Sequence, residues 1–93
     1  MFVAVLQVTL SIPAAHSLKD KRRVVKSLIE RLRSKHGVSA AEVDHLDTWN
    51  RAGVGIAFVS RDRRHADSHL AKVLEGLHRE REASVLDSQL EVF

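Results

Sequence analysis

The chain has 93 residues, of which 44% are hydrophobic and 29% charged, with a net charge of +3, a pI near 9.8 and no cysteine. These values describe one globular domain over residues 1–93 with a single modest core. They exclude an intrinsically disordered chain, a disulfide framework and a cysteine-based zinc site. No apolar run approaches the ~20 residues needed to span a bilayer, so the chain is expected in the cytoplasm and off the membrane.

Six elements follow in order. From Phe2 to Ile12 the even positions Phe2, Ala4, Leu6, Val8, Leu10 and Ile12 are apolar, and Val3, Val5, Gln7, Thr9 and Ser11 take the other face. This alternation predicts a long strand buried on its even face, stopped by Pro13. The same stretch superficially suggests a signal peptide, but it lacks a basic start and a small-residue cleavage site and carries Gln7 and Thr9.

Ser17 and Asp20 have capping-box spacing. Leu18, Val25, Leu28, Ile29 and Leu32 then recur at helical intervals, and Gly37 supplies a stop. These signals predict a helix over 18–36. The segments VSAAEVDHLDTW and RAGVGIAFVS read as two strands turning at Trp49-Asn50, with Val54, Ile56 and Phe58 on one face of the second. Asp62 caps a second helix with a stripe of Ala66, Leu70, Val73, Leu74 and Leu77, in which Gly76 is out of place. Leu86, Leu90 and Val92 alternate with Asp87, Gln89 and Glu91 in a last strand.

The order β-α-β-β-α-β is that of α+β ferredoxin-like folds: a four-stranded antiparallel sheet with both helices on one face. The other face is then open. It would present Val3, Val5, Ala57 and Val59, an apolar patch that a second copy could cover in a symmetric homodimer.

Between Lys19 and His36 there are eight Lys or Arg and two acids, a local charge of +6, so the rest of the chain sums to −3. Lys19, Arg22, Arg23, Lys26 and Arg33 spread over the side of the first helix opposite its apolar stripe. Lys19, Lys21, Arg22 and Arg23 crowd the first turn and a half, where the helix dipole disfavours cations by ~0.3–1 kcal/mol each at low salt. A polyanion such as RNA would explain that placement, and so would an internal acidic patch such as Asp87 and Glu91. The candidate nucleic-acid contacts are therefore Lys19, Lys21, Arg22, Arg23, Lys26 and Arg33. The sheet offers no such surface, because Phe2 and Phe58 fall on core faces and no string resembles an aromatic RNP signature.

The strings HSLKDKRRVV (His16 to Val25) and LDTWNRAGVGIAFVS (Leu46 to Ser60) resemble the YlxP-like family of small bacterial proteins, over essentially the full chain. The resemblance implies a ferredoxin-like fold. Genes of that family often neighbour translation-initiation and ribosome-maturation genes, which implies a ribosomal or RNA setting. It brings no catalytic residues to this chain.

Other constellations carry less. His65 and His69 stand at i,i+4 and Asp62 is near, but no third ligand is fixed and there is no HExxH glutamate; two exposed histidines on a polar face is the plainer reading. Asp44 and Asp47 read as rim charges. Trp49 is expected to fold back over the core edge, while Arg51 is left open between a structural and a contact role. No catalytic residue, metal or cofactor is assigned. The first reading is a non-enzymatic binding module for RNA or ribosomal particles. A homodimeric module docking an acidic protein is the second, and a small ligand-binding protein or enzyme with a site between subunits, an analogy from fold alone, is the third.

Overall fold

A computed structural model describes the chain from Met1 to Phe93. Strand β1 (Phe2–Ser11) buries Ala4, Leu6, Val8 and Leu10 on its even face, and Ile12 just beyond it is buried too. Helix α1 (Leu18–His36) has the predicted bounds, because both of its ends are set by local chemistry. Ser17 Oγ accepts the Asp20 N–H at 3.0 Å, and Asp20 Oδ2 reaches back to the His16 N–H at 3.1 Å. This is a capping box displaced by one residue at its return bond. At the other end Gly37 adopts a left-handed φ of 61° and donates its N–H to the Arg33 carbonyl, a conformation that costs glycine nothing.

Strands β2 (Ser39–Asp44) and β3 (Arg51–Ser60) form a hairpin, α2 (Arg63–Leu77) follows, and β4 (Ser84–Val92) closes the fold. Asp62 caps α2 as expected, its Oδ1 accepting the N–H groups of Arg64 and His65 at 2.9 and 3.2 Å. The sheet order is β2-β3-β1-β4 with every neighbour antiparallel, which is the ferredoxin-like arrangement. Helix α1 packs on β2 and β3, and α2 packs on β1, β3 and β4. The core between helices and sheet joins Leu6, Leu10 and Ile12 to Ile56, Leu70, Val73 and Leu77, all at most 2% exposed. Phe2 and Phe58 pack against it from the side. No helix is long and apolar enough to cross a membrane.

Three expectations need correction. Strand β2 ends at Asp44 rather than running on to Trp49, because the chain breaks pairing with a bulge between Glu42 and Asp44 and turns through His45 at φ 57°. Trp49 sits in that turn, 46% exposed, and does not fold over the core edge. In β4, a bulge opposite Thr9 and Leu10 makes Leu86 the extra residue, so Val85 points inward with Leu90 and Val92 while Leu86 is 50% exposed.

Candidate anion-binding face of the first helix

The basic segment divides into cations that serve the fold and cations that do not. Lys21 belongs to the first group, which corrects its assignment as a phosphate contact. It lies three and four residues before Val24 and Val25, on the inward stripe of α1, and its side chain is fully buried. Its ammonium donates to Glu42 Oε2 at 2.6 Å and to the His45 and Leu46 carbonyls at 3.0 and 3.4 Å. The three donors of the ammonium are thereby satisfied, and nothing of Lys21 is left for a ligand. Glu42 faces the same interior from β2, opposite Val54.

Arg31 is likewise engaged, 2.8 Å from Glu80, and this pairing raises its already high pKa. Arg23 meets Glu82 only at 4.0 Å, with both side chains exposed, so their attraction is worth little. Arg33 reaches round the sheet to give a 2.7 Å hydrogen bond to the Ala40 carbonyl but has no acid beside it. Lys19, Arg22 and Lys26 are exposed and form neither a salt bridge nor a side-chain hydrogen bond. They occupy adjacent positions on the outer side of the first turns. The acids that neutralise α1 are Glu42, Glu80 and Glu82, not Asp87 and Glu91, which lie on the far face of the sheet.

On that face the predicted patch is assembled: Val3 pairs with Val59 and Val5 with Ala57 across β1 and β3. Val3, Val5 and Ala57 are half-buried and Val59 is 58% exposed. Beside them a shallow hollow opens over Gly55, walled by Val5, Ala41, Val43 and Ala57. Glu91 stands opposite Val5, and Asp87 opposite Thr9, so an acidic margin flanks the patch along β4. Arg51 lies at the end of the same face, opposite Ser11, exposed.

The histidines take positions unlike a polar stripe. His69 donates from Nε2 to the His36 carbonyl at the end of α1, at 2.8 Å, and its ring lies 4.2 Å from that of Phe58. His65 and His36 flank it at 5.9 and 6.1 Å between ring centroids. His36 is pushed below the usual imidazole pKa by burial, with Lys35 and His69 adding to the effect. Asp62 spends its carboxylate on the α2 cap. The sequence signal missed here was Phe58, against which the two α2 histidines pack, His69 tilted over its ring and His65 edge-on.

Two residues thus escaped the reading of the sequence. Glu42 looked like one more acid on a strand, and its inward direction follows only from the register with β3. Lys21 was masked by the charged run around it, although its spacing to Val24 and Val25 was a usable signal.

Residues 3–90 match the family model described as "Protein of unknown function (DUF503)". The chain is 43% identical over 60 residues to the uncharacterized protein YlxP of Bacillus subtilis (strain 168), a match covering 64% of this chain and 65% of that relative's length. The string Ser17-Leu18-Lys19-Asp20-Lys21-Arg22 has a physical reading in this chain, with Ser17 and Asp20 capping a helix, Lys21 pinning it to the hairpin, and Lys19 and Arg22 turned outward. With 88 consecutive positions matched, 3 through 90, the chain belongs to the DUF503 family.

Proposed function

We propose that the protein is a non-enzymatic binding module that docks a polyanion, RNA before others, on the outer face of α1. The observation that supports it is the contrast within one turn: Lys21 is buried and paired, whereas Lys19 and Arg22 stand exposed without an acid beside them. A cation in the first turns of a helix opposes the dipole, and a fold with spare acids elsewhere had the means to neutralise these two. Lys26 continues the surface, Arg23 is only loosely held by Glu82, and Arg33 adds charge at the far end. Such a surface would grip phosphates and set orientation with little reading of bases, which suits RNA or a ribosomal particle in the cytoplasm.

The test is binding of a labelled single-stranded RNA across a salt series. Each phosphate neutralised on a single strand contributes ~0.7 to the slope of log affinity against log salt. Changing Lys19, Arg22 and Lys26 together to Ala should weaken binding and flatten that slope by about 2 units. The variant should melt no lower than wild type, because the dipole repulsion is relieved. Unchanged affinity in the variant removes α1 as the contact surface. Wild-type protein that prefers an acidic polypeptide to RNA at equal charge moves the reading to a protein partner.

A further inference from the structure

The two edges of the sheet are treated differently. Val3 and Phe93 exchange both backbone hydrogen bonds, at 2.9 and 2.8 Å. In an antiparallel ladder such pairs alternate with pairs whose backbone groups point away from each other. Counting along the β1–β4 register, the N–H and C=O groups of Ser88, Leu90 and Val92 point out of the sheet. At the opposite edge the same count turns Ala40 and Glu42 outward on β2, and that edge is blocked. Arg33 takes the Ala40 carbonyl, the Glu42 side chain is an inward charge paired with Lys21, and Val43 bulges out of register. These are devices by which proteins prevent a strand from being added. From Asp87 to Phe93, β4 has no Lys, no Pro, no inward charge and no bulge, and its only charges, Asp87 and Glu91, stand on the open face.

We propose that β4 takes a second copy of this chain, β4 against β4, about a two-fold axis at Leu90, joining two four-stranded sheets into one. The register follows from the residues. The regular stretch beyond the Leu86 bulge, Asp87 to Phe93, is centred on Leu90, so that axis pairs the whole of it with itself. Leu90 then exchanges hydrogen bonds with its own copy, and Ser88 with the partner's Val92. On the open face Gln89 lies opposite the partner's Glu91, and Asp87 opposite the partner's Phe93. Shifting the axis by one residue sets Asp87 against the partner's Glu91, or Glu91 against its own copy, and like charges directly opposed are unfavourable.

The ground beside the edge supports the same occupant. A groove of about 910 Å³ runs between the end of β4 and the first turns of α2, walled by Asp62, Arg63, Arg64 and Asp67. A wall of mixed sign is complementary to its own two-fold copy, which a wall of one sign is not. The apolar open face is the other place where a second copy could sit. Its margin carries Asp87 and Glu91 with Arg51 as the only cation on its strands, so two such faces stacked with one β4 over the other would bring acids together. This inference is independent of the α1 reading, since α1 packs on β2 and β3 at the far side of the sheet.

The experiment is sedimentation equilibrium of the full chain across the micromolar range, with four variants. Wild type should be a dimer. Ser88→Pro should be a folded monomer whose melting temperature does not depend on concentration and matches that of wild type diluted below its dimer dissociation constant, because the Ser88 N–H serves no bond within the chain and edge strands accept proline at such positions. Gln89→Lys should tighten the dimer and Gln89→Glu loosen it, each by roughly two- to thirtyfold. Val59→Glu, on the open face and away from β4, should leave it intact. A monomeric wild type overturns the proposal. So does a dimer that survives Ser88→Pro, or one that Val59→Glu dissociates, which would put the interface on the open face. Should Ser88→Pro not fold, the two exposed Gln89 variants decide alone: equal dissociation constants reject the register.

Discussion

The Lys21 ammonium lies 2.6 Å from the Glu42 carboxylate inside the protein, with a lysine that has no exposed surface and a glutamate only 15% exposed. An ion pair placed there is a poor source of net stability, since desolvation offsets most of its attraction. Its loss on one side is another matter. Lys21→Ala leaves Glu42 without a counter-charge and two loop carbonyls without a donor. We expect a cost of about 3 kcal/mol, the lower end of the usual range because Glu42 can recruit some water. The combined change Lys21→Met with Glu42→Leu should cost less than Lys21→Ala alone. Urea unfolding of the three proteins checks this, and a double variant weaker than Lys21→Ala would refute it.

The β2–β3 hairpin predicts an asymmetry between its two glycines. A Cβ at Gly53 would lie 2.6 Å from Asp44 Cβ and 3.2 Å from its Cα, so backbone must move. A Cβ at Gly55 would meet the Val43 γ carbons at 3.2 and 3.4 Å, on a side chain that is half exposed and able to turn. Gly53→Ala should therefore cost about 1–3 kcal/mol, and Gly55→Ala clearly less. Thermal melts of the pair give the comparison, and equal losses would contradict it.

His36 makes stability depend on pH in a definite direction. Its pKa in the folded protein lies below 6.5, its value in an unfolded chain. Between those two pKa values the unfolded state binds more protons, so stability rises with pH. The contribution is fully present above about 6.5 and is lost as the solution is acidified through that value toward the folded pKa. A melting profile from neutral to mildly acid pH should fall, and His36→Gln should make it flatter. A variant whose profile is as steep as wild type would assign the dependence elsewhere.

How much of this was visible in the sequence depends on the range of the physics involved. The bounds of α1 rest on Ser17, Asp20 and Gly37, each acting within a few residues, and they were legible to the residue. The even face of β1 was legible because a long regular alternation admits one reading. Leu86 misled because a bulge changes the parity of a strand, and bulges are set by the partner strand rather than by local pattern. The Lys21–Glu42 pair joins residues 21 positions apart, and no window along the chain contains both. Trp49 misled for a further reason: a lone tryptophan is usually buried, and here the turn through His45 carries it outward. The exposed cations Lys19, Arg22 and Lys26 were named together with Lys21, Arg23 and Arg33, although the spacing of Lys21 to Val24 and Val25 already set it on the inward stripe; what it pairs with required the register of β2 and β3.

The ammonium of Lys21 reaches two carbonyls in the His45–Asn50 turn from the first turns of α1. Those two segments thus share a single fastening. Opening the turn strips the lysine of its acceptors, and fraying the helix withdraws the donor from the turn. Amide hydrogen exchange should accordingly report them as one cooperative unit, the N-terminal turns of α1 and the hairpin tip losing protection together, while the C-terminal turns of α1, held by Gly37 and His69, exchange on their own schedule.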